Sequence, residues 1–223
     1  MLEFLGYVGV QISPAQISDM LIKNQDMFHA ESAAVFEAGL RSSPYQHIDD
    51  TPTRVNGQNQ ACHIVCNPLY SAYHTRPHKD RLTILDVLRA GRGRIFCLNA
   101  EAMGYLKDQP FSTCACGTGA GKHTLQTLQG WQSETVLDEA AFKICLDETL
   151  PKLPAQQRKA IIDAAAVAAY HAESGVPIIR TLICDDAPQF NWLTESMMLC
   201  WVHEGRAYKK LMPVVGLHRE LLE

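Results

Sequence analysis

Apolar positions near the start of the chain recur at helical spacing. In "SPAQISDMLIKN", Ile17, Met20 and Leu21 form one stripe behind a capping Ser13 and a Pro14 suited to the first helical turn. The pattern predicts a helix there and a second over "HAESAAVFEAGL", stopped by Gly39. From residue 45 the character changes. "YQHIDDT", "TRVNGQN" and "ACHIVCNPLYSAYH" are rich in β-branched and aromatic residues, with turn signals at Asn56, Gly57, Asn67 and Pro68. They predict two or three antiparallel strands joined by hairpin connections.

A short helix in "KDRLTILDVLRAG" and a strand in "GRIFCLN" come next. Residues 100–153 have a mixed, mostly helical and weakly amphipathic pattern, read as an insertion. "LPAQQRKAIIDAAAVAAYHAESGVP" then predicts a strong helix, with Ile161, Ala165, Ala168 and Ala172 on one face and Gly175 as its C-terminal cap. Its alanines allow a close approach to a neighbouring sheet. "IIRTLIC" is a nearly continuous apolar run, the pattern of a strand buried on both faces, and it leads into Asp185 and Asp186. Beyond Phe190, the residues Leu193, Met197, Cys200 and Trp201 recur at helical spacing up to a break at Gly205, and Pro213 ends the segment. The expected organisation is a partial helical segment, helix-turn-helix-like, over 1–44, followed by one α/β core over 45–223.

Composition narrows the class. The chain has 223 residues, 47% of them hydrophobic and 20% charged, which is globular rather than disordered. It contains no apolar run long enough to span a membrane and no leader-like start, so the expectation is a cytoplasmic protein with no membrane partner. Eight cysteines scattered through apolar segments read as reduced thiols. A net charge of -4 gives no overall nucleic-acid signature. Charge is uneven, however: between His74 and Arg94 six cations (Arg76, Lys79, Arg81, Arg89, Arg92 and Arg94) face two aspartates, Asp80 and Asp86. "HEGRAYKKLM" is basic again. Both stretches are candidate phosphate contacts, although solvated surface accounts for most such runs.

The chemistry lies in two acidic pairs, "HIDDT" in an early strand and "LICDDAPQF" at the exit of a later one. Carboxylates held on neighbouring strands suit Mg²⁺, a hard cation that takes oxygen ligands and keeps coordination sites for phosphates. The bland alternatives are a turn before Pro52 for Asp49 and Asp50, and a helix cap before Pro188 for Asp185 and Asp186.

Taken with "HIDDTPTRVNGQN" and "LCWVHEGRAYKKLMP", these stretches resemble the DDE-type transposases of bacterial insertion sequences, over most of residues 45–213. The resemblance implies a ribonuclease H-like mixed sheet with flanking helices, here carrying a helical insertion at about 100–153. It also implies DNA transposition, with a two-ion Mg²⁺ or Mn²⁺ site, transposon-end and target DNA as partners, and a homo-oligomer assembled on DNA. By this match the catalytic, metal-binding acids are Asp49, with Asp50 beside it, and Asp185, followed five residues on by the aromatic Phe190. Cys200, Trp201 and His203 are similar to the Cys-Trp-x-His motif of one branch. The family's third acid is a glutamate. Glu220 stands 35 positions after Asp185, and nothing around it reads as the helix carrying that residue; Glu204 is a second, weaker candidate. A catalytically inactive remnant that still binds DNA or partner subunits is therefore the competing expectation.

Other motifs compete less well. "CGTGAGKHT" offers a glycine-rich loop at 117–124 with Lys122, the basis of a nucleotide-binding alternative. It has Cys116 where the phosphate-loop pattern needs its first glycine, and His123 where it needs Ser or Thr. Cys62 and Cys66, if on one strand, stand about 13 Å apart, too far for one zinc ion. Cys114 and Cys116 are too closely spaced for a zinc knuckle, and Cys200 with His203 lacks a second ligand pair.

Overall fold

A computed structural model describes residues 2–107, 120–210 and 220. The chain divides into two compact units, Met1–Ala38 and Gly39–Glu223. The first contains α1 (Leu2–Tyr7), α2 (Pro14–Ile22) and most of α3 (Asp26–Arg41). The predicted cap of α2 forms as a capping box: the Gln16 N–H donates to Ser13 Oγ at 3.2 Å, and the Ser13 N–H donates to Gln16 Oε1 at 2.9 Å.

Gly39 does not stop α3, which continues to Arg41. It has a different role: a Cβ added there would stand 2.6 Å from the Tyr70 ring, so only glycine lets that ring lie against the helix. Buried Gln46 reinforces the contact, donating to the Gly39 and Leu40 carbonyls at 3.3 Å and accepting from the Tyr70 hydroxyl at 2.9 Å.

The second unit is built on β1 (Tyr45–Val55), β2 (Gln58–Asn67) and β3 (Tyr70–Arg76), the antiparallel meander expected from the sequence. Asn56 and Gly57, both at positive φ, make the tight turn between β1 and β2. Then come α4 (Arg81–Leu88), β4 (Ile95–Phe96), α5 (Ala100–Lys107), α6 (Ala120–Trp131), β5 (Leu137–Asp138), α7 (Glu139–Thr149) and α8 (Ala155–Ala172). The strand expected in "GRIFCLN" contracts to the two residues of β4, which pair with β5 in a separate small sheet. The chain continues through β6 (Thr181–Cys184), a 3₁₀ turn at Pro188–Phe190, β7 (Ser196–Leu199) and α9 (Trp201–Lys209).

The main sheet has the order β3-β2-β1-β6-β7, antiparallel from β3 to β1 and parallel from β1 to β7. The fold is thus α/β, a five-stranded mixed sheet with flanking helices. One face is closed: Gln46, Ile48, His63, Val65, Leu182 and Cys184 are buried. The alanines of α8 serve the close approach expected of them, since the Ala165 carbonyl accepts a hydrogen bond from the Cys97 N–H at 3.0 Å, just beyond β4. That helix ends at Ala172 with Glu173 in extended backbone, so Gly175 is not its cap. The helical spacing after Phe190 also misleads. Ser196–Leu199 is a strand paired with β6, and α9 runs through Gly205. Pro213 lies outside the described residues. Among those residues, no helix is long and apolar enough to cross a membrane.

Candidate functional site

Strand alternation separates Asp49 from Asp50. Residues 46, 48 and 50 of β1 look into the closed face, while 45, 47 and 49 look out on the other. The Asp50 side chain is only 10% exposed; its Oδ1 lies 3.4 Å from Lys79 Nζ and its Oδ2 accepts from Gln189 Nε2 at 3.2 Å. Asp49 is 51% exposed, and its Oδ1 accepts from the Asp50 N–H at 2.8 Å.

Asp185 follows β6 directly. The paired positions of β1 and β6 end with His47 opposite Ile183. Asp49 and Asp185 each come two residues later, so both acids stand at the same end of two adjacent parallel strands. Period-two alternation also gives them the same face. Asp185 Oδ1 accepts from the Ala187 N–H at 3.1 Å, an Asx turn that orients the carboxylate as the chain leaves the sheet.

The next strand brings a third group to this end. The Cys200 N–H donates to the Cys184 carbonyl at 2.8 Å, extending the β6–β7 pairing into the start of α9. His203, in the first turn of α9, thereby reaches Asp49, with Nε2 3.9 Å from Oδ2. Hydrogen bonding to His203 holds the Cys200 thiol below its usual range, whereas burial and the nearby negative charges of Asp185, Asp186 and Cys200 push Cys184 up to about 12. Glu204 neighbours His203 on the same turn. Among the described residues, no group of three or more His, Cys, Asp or Glu side chains converges closely enough to hold a metal ion. Glu220 is an isolated exposed position, and the glycine loop at 117–119, Cys114, Cys116 and the Lys122 side chain lie outside what is described. Among the described residues, Cys62, Cys66, Cys97, Cys145, Cys184 and Cys200 are free thiols.

The basic stretch is largely occupied with structure. Arg81 meets Asp163 at 2.9 Å, Arg89 meets Glu173 at 2.8 Å, and Arg94 meets Asp86 at 2.7 Å. These pairs tie α4 and its following turn to themselves and to α8, a role that local charge counting does not reveal. Sequence reasoning also missed the cavity on the closed face, lined by Asp50, Lys79, Arg81, Asp163 and Gln189. Its members come from four separate segments, so no short motif marks it.

Over 179 residues the chain is 26% identical to "Uncharacterized protein y4jO" of Sinorhizobium fredii (strain NBRC 101917 / NGR234), a match covering 80% of this chain and 52% of that protein. The chain therefore spans about half the length of the curated relative it matches. No protein-family profile matches the chain, and no solved structure matches it.

Proposed function

We propose that this chain carries the catalytic core of a DDE-type DNA transposase on a ribonuclease H-like fold. The observation that carries the proposal is the position of Asp49 and Asp185, on one face at one end of neighbouring parallel strands. Two features support it. The order β3-β2-β1-β6-β7, three antiparallel strands extended by two parallel ones and flanked by helices, is compatible with a ribonuclease H-like fold. The Cys-Trp-x-His stretch falls at the junction of β7 and α9, which puts His203 beside Asp49.

The donors suit a divalent cation: carboxylate oxygens on rigid strands, half exposed at Asp49, with room for water and phosphate oxygens. Asp49 and Asp185 would hold Mg²⁺ or Mn²⁺, which when bound supplies activation of an attacking oxygen and stabilisation of a leaving one. The chain's own contribution is positioning. Backbone N–H groups of Asp50 and Ala187 each orient one carboxylate oxygen before any ligand arrives, and His203 limits where the other oxygen of Asp49 turns. The reaction is hydrolysis at a transposon end to free a 3′ hydroxyl, then attack of that hydroxyl on target DNA, by a homo-oligomer that holds both DNA partners.

The lack of a third converging acid among the described residues favours a second reading, a DNA-binding remnant without chemistry. Nicking of supercoiled DNA in Mg²⁺ or Mn²⁺ separates the two. Activity in the intact chain that disappears in Asp49→Asn supports catalysis. DNA binding with no nicking by the intact chain supports the remnant.

A further inference from the structure

His171 sits in the last turn of α8, and both nitrogens of its ring meet an acceptor. Nδ1 lies 2.6 Å from Glu101 Oε1 of α5, and Nε2 lies 3.0 Å from the Leu193 carbonyl oxygen. A carbonyl only accepts, so Nε2 carries a proton. Glu101 Oε1 also accepts from the Tyr105 hydroxyl at 2.6 Å. Burial opposes the Glu101 charge, but the hydrogen bonds from His171 and Tyr105 outweigh it and hold the carboxyl below its usual range. An ionised Glu101 requires a proton on Nδ1 as well, and the ring is cationic, as the C-terminal end of a helix favours. A neutral imidazole has one N–H and serves only one of the two acceptors.

The second acceptor belongs to a turn, residues 191–195, that leads into β7 and then α9. Trp192 stands there at φ 72°, a backbone region that large side chains rarely adopt. Its ring stacks on Tyr105, with 5.1 Å between centroids, and Arg81 lies 4.5 Å over it. Arg81 also donates to the Asn191 carbonyl at 2.9 Å. The turn thus has two fastenings: Arg81, which keeps its charge at every relevant pH, and His171, which does not. The groups facing His171 are Glu101 and Tyr105 from α5, Tyr170 beside it on α8, and Glu195 at the end of the turn. Among these groups only the imidazole ordinarily titrates near neutrality.

We propose that His171 is a proton-operated latch: cationic, it bridges Glu101 to the 191–195 turn, and neutral, it keeps Glu101 and releases Leu193, so the turn loosens. Glu101 is the partner retained because a hydrogen bond to a carboxylate is stronger than one to a carbonyl. Burial disfavours the charge on His171, but its hydrogen bonds to Glu101 and Leu193 and the charges of Glu101 and Glu195 outweigh that and hold the imidazole above its ordinary 6.5. The latch is therefore closed below 6.5 and opens as the pH rises through the higher folded-state value, with the proton passing to water. The inference stands on this geometry and does not depend on the transposase reading.

Two signals from the intact chain test it. Long-range proton–nitrogen NMR reads the His171 ring, assigned with His171→Gln. Fluorine NMR of 5-fluorotryptophan reads Trp192, assigned with Trp192→Phe, and its solvent isotope shift measures contact with water. Both ring nitrogens should carry protons below a midpoint that lies above 6.5. Water contact at Trp192 should grow with the same midpoint. Glu101→Gln should move both midpoints to lower pH, and His171→Gln should abolish the Trp192 transition. If His171→Gln does not fold, the unaltered chain and Glu101→Gln decide the matter. A His171 midpoint at or below 6.5, a midpoint unmoved by Glu101→Gln, or constant water contact at Trp192 while His171 titrates overturns the proposal.

Discussion

His203 Nε2 stands 3.9 Å from Asp49 Oδ2, joining the first turn of α9 to the first strand of the sheet at the end where Asp185 also emerges. The same imidazole holds the Cys200 thiol below its ordinary pKa. Since the thiolate is the reactive form, His203→Ala should slow alkylation of Cys200 by iodoacetamide near neutral pH. Peptide-resolved mass spectrometry reads Cys200 apart from the other thiols. An unchanged rate would mean the contact with His203 does not govern the thiol.

Gly39 should resist replacement in a way its helix does not suggest. In an open helix Gly→Ala stabilises by up to roughly 1 kcal/mol. At residue 39 the added methyl meets the Tyr70 ring, and overpacking of this kind costs about 1–3 kcal/mol. Chemical denaturation of Gly39→Ala gives the sign directly, and a stabilised variant would show that the ring moves aside at little cost.

The Arg81–Asp163 pair should be among the most damaging to break. Both side chains are largely buried, 12% and 3% exposed, and Arg81 also donates to the Pro188 and Asn191 carbonyls at 2.7 and 2.9 Å. Removing Arg81 leaves the buried Asp163 carboxylate paired only with the exposed Lys159 and leaves two carbonyls without their donor, a loss of up to about 3–5 kcal/mol. Arg81→Met should lose that much in urea unfolding, whereas Arg94→Met, whose pair with Asp86 is more exposed, should lose well under half of it.

His74 gives stability a pH dependence. Burial first, then the electrostatic influence of Arg76 and of His63 on the facing strand, hold its imidazole down at about 4 from an ordinary 6.5. The folded state therefore binds fewer protons than the unfolded chain in this window. The contribution is complete above 6.5 and is lost as the pH falls to about 4. His74→Asn should flatten this part of the stability profile while leaving the slope above pH 7 unchanged; equal slopes in both proteins between these values would refute the assignment.

What could be read from the chain alone follows physical lines. The β1–β2–β3 meander was legible because its period-two pattern and its Asn56-Gly57 turn are local signals. The strand Ser196–Leu199 was not, because Met197, Met198 and Leu199 have no strong strand preference and take extended form by pairing with β6. Gly39 misled because a glycine in a helix reads as a stop, and its reason for being there, Tyr70, is far away in sequence.

The candidate site divides the same way. The two acidic pairs were marked by their positions in a strand and at a strand exit, and the choice of Asp49 and Asp185 within them came from the transposase resemblance. That they lie at one end of neighbouring strands depends on the parallel pairing of β1 with β6, across more than a hundred residues of intervening chain. The ion pairs of Arg81, Arg89 and Arg94 likewise depend on tertiary contacts, so local charge alone suggested phosphate binding where the fold uses the arginines for packing.

The central claim is that Asp49 and Asp185 share a divalent ion, and Mn²⁺ binding followed by electron paramagnetic resonance tests it without requiring turnover. The account predicts that the intact chain binds Mn²⁺, that Asp49→Asn and Asp185→Asn each weaken binding by about tenfold or more, and that Asp50→Asn, on the opposite face, leaves it nearly unchanged. Equal binding by the intact chain, Asp49→Asn and Asp185→Asn, or loss in Asp50→Asn alone, would contradict it.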